Sequence, residues 1–145
     1  MPLLPPESLE AGTLPTPAIA ALSEGIGFLS AFKPEEILAH ERSLFIWARD
    51  AIMNSEELKA TVYLPDREGS VLLFNLDGIP SESVGRYLGS KGICVRSGYH
   101  CSALGHKALG TSDRGAVRVS FSVFNGGRDV DALVEELRNC ASEAK

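Results

Sequence analysis

The chain has 145 residues, of which 44% are hydrophobic and 23% are charged. A chain of this length fits one domain that buries roughly 68–70% of its unfolded surface, so its core needs neither metal nor disulfide bonds. Lysine and arginine together number 14 against 19 acidic residues, which gives a net charge of −5. This balance argues against a nucleic-acid or anionic-membrane surface, because each requires a basic face.

The cysteines and the apolar runs indicate a compartment. Cys94, Cys101 and Cys140 are odd in number and have no C-x-x-C spacing, which is a poor disulfide framework and favours reducing conditions. The first residues have neither the basic nor the apolar region of a signal peptide. No apolar run approaches the roughly 20 residues that span a bilayer. We therefore expect a cytoplasmic protein.

The N-terminal third is predicted to be an arm followed by two helices. Residues 1–17 contain five of the eight prolines; because proline fixes φ and has no amide proton, we expect an extended arm there and a domain over 18–145. Thr16 and Pro17 have the pattern of an N-cap and first helical residue, and Pro34 opens a second helix. Both helices have an apolar stripe, so each is expected to cover a surface.

The remaining elements alternate between strands and helices. Residues 58–64 and 71–76 are β-rich runs around a turn cluster, which predicts a hairpin. Asn125 can cap the last helix. The intervening elements are a helix over 81–90 and strands over 93–96 and 116–121. The order α-α-β-β-α-β-β-α predicts an α/β two-layer sandwich, a small mixed or antiparallel sheet with helices on one face.

Chemistry-bearing residues concentrate in the loop of about eighteen residues between the last two predicted strands. The loop contains the thiol of Cys101 together with Arg96, His100 and His106, and neighbouring cations of this kind favour the nucleophilic thiolate. A metal site built from His100, Cys101 and His106 is disfavoured, because the fourth ligand at zinc spacing is missing.

Several other residues have ordinary structural interpretations. Cys94 lies in an apolar run and is expected to be a small buried hydrophobe. Arg118 alternates with valines on a strand, where an outward, solvated arginine is the default. Trp47 and Tyr63 are candidates for the core or for a domain interface.

Five segments carry a family resemblance. The run Arg96 to Cys101, Arg-Ser-Gly-Tyr-His-Cys, resembles the Arg-x-Gly-x-His-Cys segment of group II cysteine desulfurases and selenocysteine lyases, which are pyridoxal-phosphate enzymes of the class V aminotransferase group. The other segments are similar to that family's C-terminal part in the same order. They are Glu10-Ala11-Gly12-Thr13, Ala39-His40-Glu41, Phe74 to Gly78, and Ala116 to Asn125.

The resemblance implies the C-terminal small domain of such an enzyme and a role for each matching residue. Cys101 would accept the substrate sulfur as a persulfide while alanine is released, and Arg118 would bind the substrate carboxylate. Thr13 would reach the cofactor phosphate of the partner subunit in a homodimer. His100 and Arg96 would lie near the thiol and modulate its pKa.

The same resemblance places the cofactor lysine in a large domain that this sequence does not contain. We read Lys107 as a solvated loop lysine, so the chain alone is expected to bind no pyridoxal phosphate and to be inactive. The substrate would be cysteine or selenocysteine, and a sulfur-acceptor protein is a possible partner. The alternatives are a class V aminotransferase-like enzyme with another reaction, and a non-catalytic sulfur carrier or dimerisation module.

Overall fold

A computed structural model describes residues 4–6, 8–9, 12–64, 69–99 and 101–144. The chain divides into two compact units, Met1–Pro34 and Glu35–Lys145. Part of the predicted arm over 1–17 lies outside the described residues. So do residues 65–68, which make up most of the predicted turn cluster. The arm and its boundary with the domain therefore stay predictions.

Helix α1, Thr16–Ser30, is the regular element of the first unit. It begins at Thr16, with Pro17 in its first turn, but Thr16 is not the N-cap that the sequence predicts. Pro15 occupies that position, and the Thr16 hydroxyl donates to the carbonyl oxygen of Leu14 at 3.3 Å. None of the helix residues is buried, so the apolar stripe of α1 is exposed.

The second unit is built around a three-stranded antiparallel sheet in the order β1-β2-β3. The strands are β1 Ala60–Tyr63, β2 Val71–Leu76 and β3 Val117–Ser120. The helices are α2 Pro34–Met53, α3 Ser81–Ser90, α4 Ala103–Leu109 and α5 Gly127–Glu143. The α/β fold class predicted from the sequence is confirmed. None of the helices described is long and apolar enough to cross a membrane.

The hydrophobic core lies on one face of this sheet. Leu72 and Phe74 of β2 pair with Val119 and Val117 of β3, and all four side chains are buried. Helices α2, α3 and α5 contribute apolar side chains to the same cluster. Each fully buried side chain of this size stabilises the fold by about 1.5–3 kcal/mol. The opposite face, called the open face, carries the exposed side chains of Thr61 and Arg118.

The strand predicted over 93–96 is wrong in all but its last residue. Arg96 forms an isolated bridge with Arg118, whereas the residues before it are not in a strand. The amide of Ile93 donates to the carbonyl of Leu88 at 2.9 Å, so it closes α3 instead of joining the sheet. Cys94 is consequently exposed, which corrects its prediction as a buried hydrophobe.

Two further boundaries differ from those the sequence predicts. The strand expected over 58–64 is shorter, because Leu58 is buried in the turn that precedes β1. The loop of about eighteen residues is not structureless, since it contains α4. A helix of only seven residues with Gly105 inside it has too weak a periodic pattern to detect in the sequence.

The start of α5 depends on a close approach of α2. The N-cap is Gly126, not Asn125, and its amide donates to the Asp129 carboxylate at 2.9 Å. This bond lowers the pKa of Asp129, and the side-chain amide of Asn125 adds to the effect. At Gly127 a methyl group would lie 2.5 Å from the ring of Trp47, so glycine is required by packing.

We predict opposite effects for the same substitution at two helical glycines. Gly89→Ala in α3 meets nothing within 4 Å and should stabilise the protein by about 0.5–1 kcal/mol. Gly127→Ala should destabilise it by about 1–3 kcal/mol, because the added methyl overpacks against Trp47. Thermal unfolding measures both changes, and the emission of Trp47, the single tryptophan, should shift only with Gly127→Ala. Equal stabilisation by the two variants would contradict the contact.

Candidate functional site

The loop that carries Cys101 is closed at its base by backbone pairing. The amide of Arg96 donates to the carbonyl of Arg118 at 3.0 Å, and the amide of Arg118 donates back to Arg96 at 2.6 Å. One step further in, the amide of Ala116 donates to the carbonyl of Gly98 at 3.2 Å. The two ends of the excursion are therefore held together where it leaves and rejoins the sheet.

Two glycines permit this closure. Gly98 and Gly115 have φ angles of +88° and +60°, a region that glycine enters without steric cost. A side chain at Gly115 would also collide with the backbone of Gly98. The site thus requires glycine at both positions for conformation and at Gly115 for space as well.

Above the base, an aromatic stack and a hydrogen bond fix the loop to α4. The ring of Tyr99 stacks on that of His106 with centroids 4.8 Å apart and planes inclined by 22°. Nδ1 of His106 lies 2.8 Å from Oγ1 of Thr111, and the amide of Thr111 donates to the carbonyl of His106. His106 and Thr111 are buried. The chain on both sides of Cys101 is therefore anchored.

The thiol of Cys101 is exposed between these two anchors. His100, predicted to modulate it, lies outside the described residues. Cys94 is also exposed, whereas Cys140 is buried, and burial raises the pKa of its thiol. Of the three cysteines only Cys101 lies in the loop that is tied to the sheet and to α4.

Arg118 and Arg96 are brought together on the open face. Arg118 is exposed on β3 between two buried valines, and its bridge partner Arg96 is exposed as well. Directly paired residues project to the same side of a sheet. The predicted carboxylate ligand and the predicted thiol modulator therefore share one surface, at the root of the loop that bears the thiol.

A second polar cluster on the open face was not found from the sequence. The hydroxyl of Tyr63 lies 2.7 Å from Nη2 of Arg114 and 3.1 Å from Nδ2 of Asn75, which also donates to the carbonyl of Gly115. No role for Arg114 was predicted from the sequence, and Tyr63 was predicted only as a candidate for the core or for a domain interface. Strand alternation could have placed Tyr63, but the link to Arg114 depends on the path of a distant loop.

Tyr99, Asn75 and Arg114 also line a cavity of about 420 Å³, together with Ser81 and Glu82 at the start of α3. This volume lies within the range of small-molecule sites, roughly 300–1,000 Å³. The cavity wall therefore carries both a negative charge, on Glu82, and a positive charge, on Arg114. Both lie on the same cavity as Tyr99, whose ring helps to fix the loop that bears Cys101.

Thr13, the predicted contact to a cofactor phosphate, is exposed and belongs to the unit Met1–Pro34. The described residues do not fit a complete pyridoxal-phosphate site. The four lysines among them, including Lys107 on α4, are all exposed. A cofactor lysine is instead kept in a desolvated pocket, where its amine is reactive.

Comparisons with known proteins identify the family of this chain. The family model of aminotransferase class V matches residues 4–133, and the chain belongs to that family. A probable cysteine desulfurase of Halobacterium salinarum is 36% identical over 135 residues, which are 90% of this chain and 31% of the relative. The cysteine desulfurase of Haloferax volcanii is 29% identical over 134 residues, which are 91% of this chain and 30% of that relative.

Solved structures give the same result for the fold. The Escherichia coli cysteine desulfurase CsdA, in an S-sulfonic acid form, matches 95% of this chain with a TM-score of 0.83 and 28% identity. The apo cysteine desulfurase of Thermococcus onnurineus matches 96% with a TM-score of 0.81 and 29% identity. In each case the match covers 33–34% of the other chain. The present chain thus spans about a third of the length of these relatives.

Thr111→Val tests the anchor behind Cys101. The substitution removes the hydroxyl beside the buried ring of His106, and we expect a loss of about 1–3 kcal/mol in the free energy of unfolding. Thr61→Val is the matched control, because Thr61 is exposed on β1 and its change should stay within about 0.5 kcal/mol. Urea unfolding compares the two, and equal effects would show that the Thr111 hydroxyl contributes nothing specific.

Proposed function

We propose that this chain is the C-terminal domain of a pyridoxal-phosphate-dependent cysteine desulfurase, or of a selenocysteine lyase closely related to it. Cys101 accepts the substrate sulfur as a persulfide, and Arg118 binds the substrate carboxylate. The single observation that carries the proposal is the pairing of Arg96 with Arg118 at the root of the loop that presents the exposed Cys101 thiol.

The reaction needs no external oxidant. The thiolate sulfur of Cys101 forms a bond to the substrate sulfur while the bond between that sulfur and the substrate β-carbon breaks. The electron pair of the broken bond stays on carbon, which takes up a proton and leaves as alanine. The transferred sulfur remains on Cys101 as a persulfide, from which an acceptor protein can remove it.

Arg118 suits the proposed carboxylate for reasons of shape and charge. Its guanidinium presents a planar fork of N–H donors that matches two carboxylate oxygens, and lysine does not reproduce that geometry. Because Arg118 is exposed on the open face beside the loop base, a substrate bound there would lie next to the segment that carries the nucleophile.

The lysine that holds pyridoxal phosphate would belong to a large domain, because every lysine described in this chain is exposed. In the proposed enzyme the cofactor serves as the electron sink for the bond cleavage. Thr13 would contribute to the phosphate site across a homodimer. The proposed setting is the cytoplasm, and the isolated chain would be inactive.

Cysteine replacements in an enzyme that joins this chain to its large domain test the role of Cys101. Cys101→Ser should abolish the alkylation-trapped persulfide and reduce alanine formation from cysteine by at least about a hundredfold, because the hydroxyl is a far weaker nucleophile than the thiolate. Cys94→Ser, the control at the other exposed cysteine, should retain both. A class V enzyme of another reaction would keep its turnover after Cys101→Ser.

Borohydride reduction tests the placement of the cofactor. When the 145-residue chain is mixed with pyridoxal phosphate and reduced, intact mass and peptide mapping should find no stoichiometric adduct at a single site, because every described lysine is exposed. Scattered, substoichiometric labelling is the expected background. A stoichiometric adduct on Lys107 would mean that this domain binds the cofactor by itself, and the proposal would be wrong.

A further inference from the structure

The open face concentrates positive charge in a chain whose net charge is −5. Arg96 and Arg118 are paired directly across the bridge, and the guanidinium of Arg114 reaches the same face at Tyr63. In the described part of the chain, none of these three arginines takes part in an ion pair. Like charges directly opposite one another destabilise a sheet, so this face is suited to anions.

The hydroxyl of Tyr63 is held in a defined orientation. It accepts hydrogen bonds from Nη2 of Arg114 at 2.7 Å and from Nδ2 of Asn75 at 3.1 Å. The amide orientation of Asn75 is fixed because its nitrogen also donates to the carbonyl of Gly115 at 3.0 Å. Asn75 is only 3% exposed, so this support is rigid.

The two hydrogen bonds that the Tyr63 oxygen accepts leave its own proton available to donate. A phenolic hydroxyl both accepts and donates hydrogen bonds, and the oxygen of Tyr63 already accepts two of them. The O–H of Tyr63 is still available as a donor. The neighbouring guanidinium of Arg114 has five N–H donors, and one of them bonds to Tyr63. The hydroxyl of Tyr63 and the positive charge of Arg114 are thus held side by side before any ligand arrives, which lowers the entropic cost of binding.

We propose that Tyr63 and Arg114 form a second oxyanion subsite on the open face, specific for the carboxylate of a small molecule. One guanidinium neutralises one negative charge, which matches a carboxylate, whereas a phosphate group carries close to two. The subsite goes beyond the proposed function, because it assigns a ligand to residues that have no part in sulfur transfer.

The new subsite is distinct from Arg118. In the register of the sheet, Tyr63 faces Leu73, and Leu73 faces Arg118 on the next strand. Two interstrand spacings separate the Cα atoms of Tyr63 and Arg118 by roughly 10 Å. A single carboxylate bound by Tyr63 and Arg114 would therefore lie beside Arg118 and would not occupy the carboxylate site proposed at Arg118.

Acetate titration of the ¹⁵N-labelled chain at constant ionic strength tests the subsite. Amide shifts around Tyr63, Asn75 and Gly115 should saturate with a millimolar Kd. Tyr63→Phe, which removes only the hydroxyl, and Arg114→Gln should each raise that Kd by at least about fivefold. Arg86→Gln is the control, because Arg86 is an exposed arginine on α3, and it should leave the Kd within twofold. If Tyr63→Phe does not fold, Arg114→Gln at an exposed side chain carries the test.

The remaining variants separate this subsite from the proposed function. Arg118→Gln should leave the acetate response at Tyr63 intact, and its loss would mean that the face holds one site instead of two. Inorganic phosphate should bind more weakly than acetate, and tighter binding would overturn the carboxylate assignment. Absence of any saturable shift in the wild-type chain would end the proposal. None of these readouts depends on Cys101, so each can fail without the sulfur-transfer hypothesis failing.

Discussion

The antiparallel pairing of Arg96 with Arg118 is the interaction on which the arrangement of the site depends. Through it, the chain leaves the sheet at Arg96 and returns at Arg118, so both ends of a long excursion share one fixed position. Closing a loop costs entropy whatever its sequence, and here two backbone hydrogen bonds, with a third between Ala116 and Gly98, offset that cost at the base. The same pairing sets Arg96 beside Arg118 on the open face. A thiol-bearing loop and a cationic surface thus follow from a single contact.

The sheet separates stability from chemistry by its two faces. Side chains alternate along a strand, so the buried Val117 and Val119 leave Arg118 on the opposite side. The buried face packs against the helices and provides the hydrophobic stabilisation, while the open face carries guanidinium groups that a core could not accept without a large desolvation cost. Exposed residues of the open face, such as Arg118, can therefore be altered with little effect on the core, and this makes their binding roles experimentally separable from folding.

Glycine is required for two different reasons in this structure. Gly98 and Gly115 combine left-handed backbone conformations with a close approach of two chain segments. Gly127 has no such conformation; it is required because the ring of Trp47 lies over the start of α5. The sequence alone indicates only that glycine at a helix start is unfavourable. The packing of α2 against that start gives the actual reason, and it also accounts for the position of a half-exposed tryptophan.

The sequence by itself determined the elements with a clear periodicity and the identity of the loop residues. Pro34 predicted the start of α2, short β-rich runs predicted β2 and β3, and the six residues ending at Cys101 indicated the family, because each of these signals is local in the chain. The tertiary structure decided the features that depend on contacts between distant segments, because local sequence signals carry no information about such contacts. Ile93 closes α3 instead of extending a strand, so Cys94 is exposed; Asp129 accepts the amide of Gly126, so Asn125 is not the cap. Arg114 meets Tyr63 across 51 positions of sequence. Hydrogen bonds and close approaches between distant segments depend on the register of the sheet and the path of the loop, which are fixed only when the whole chain packs.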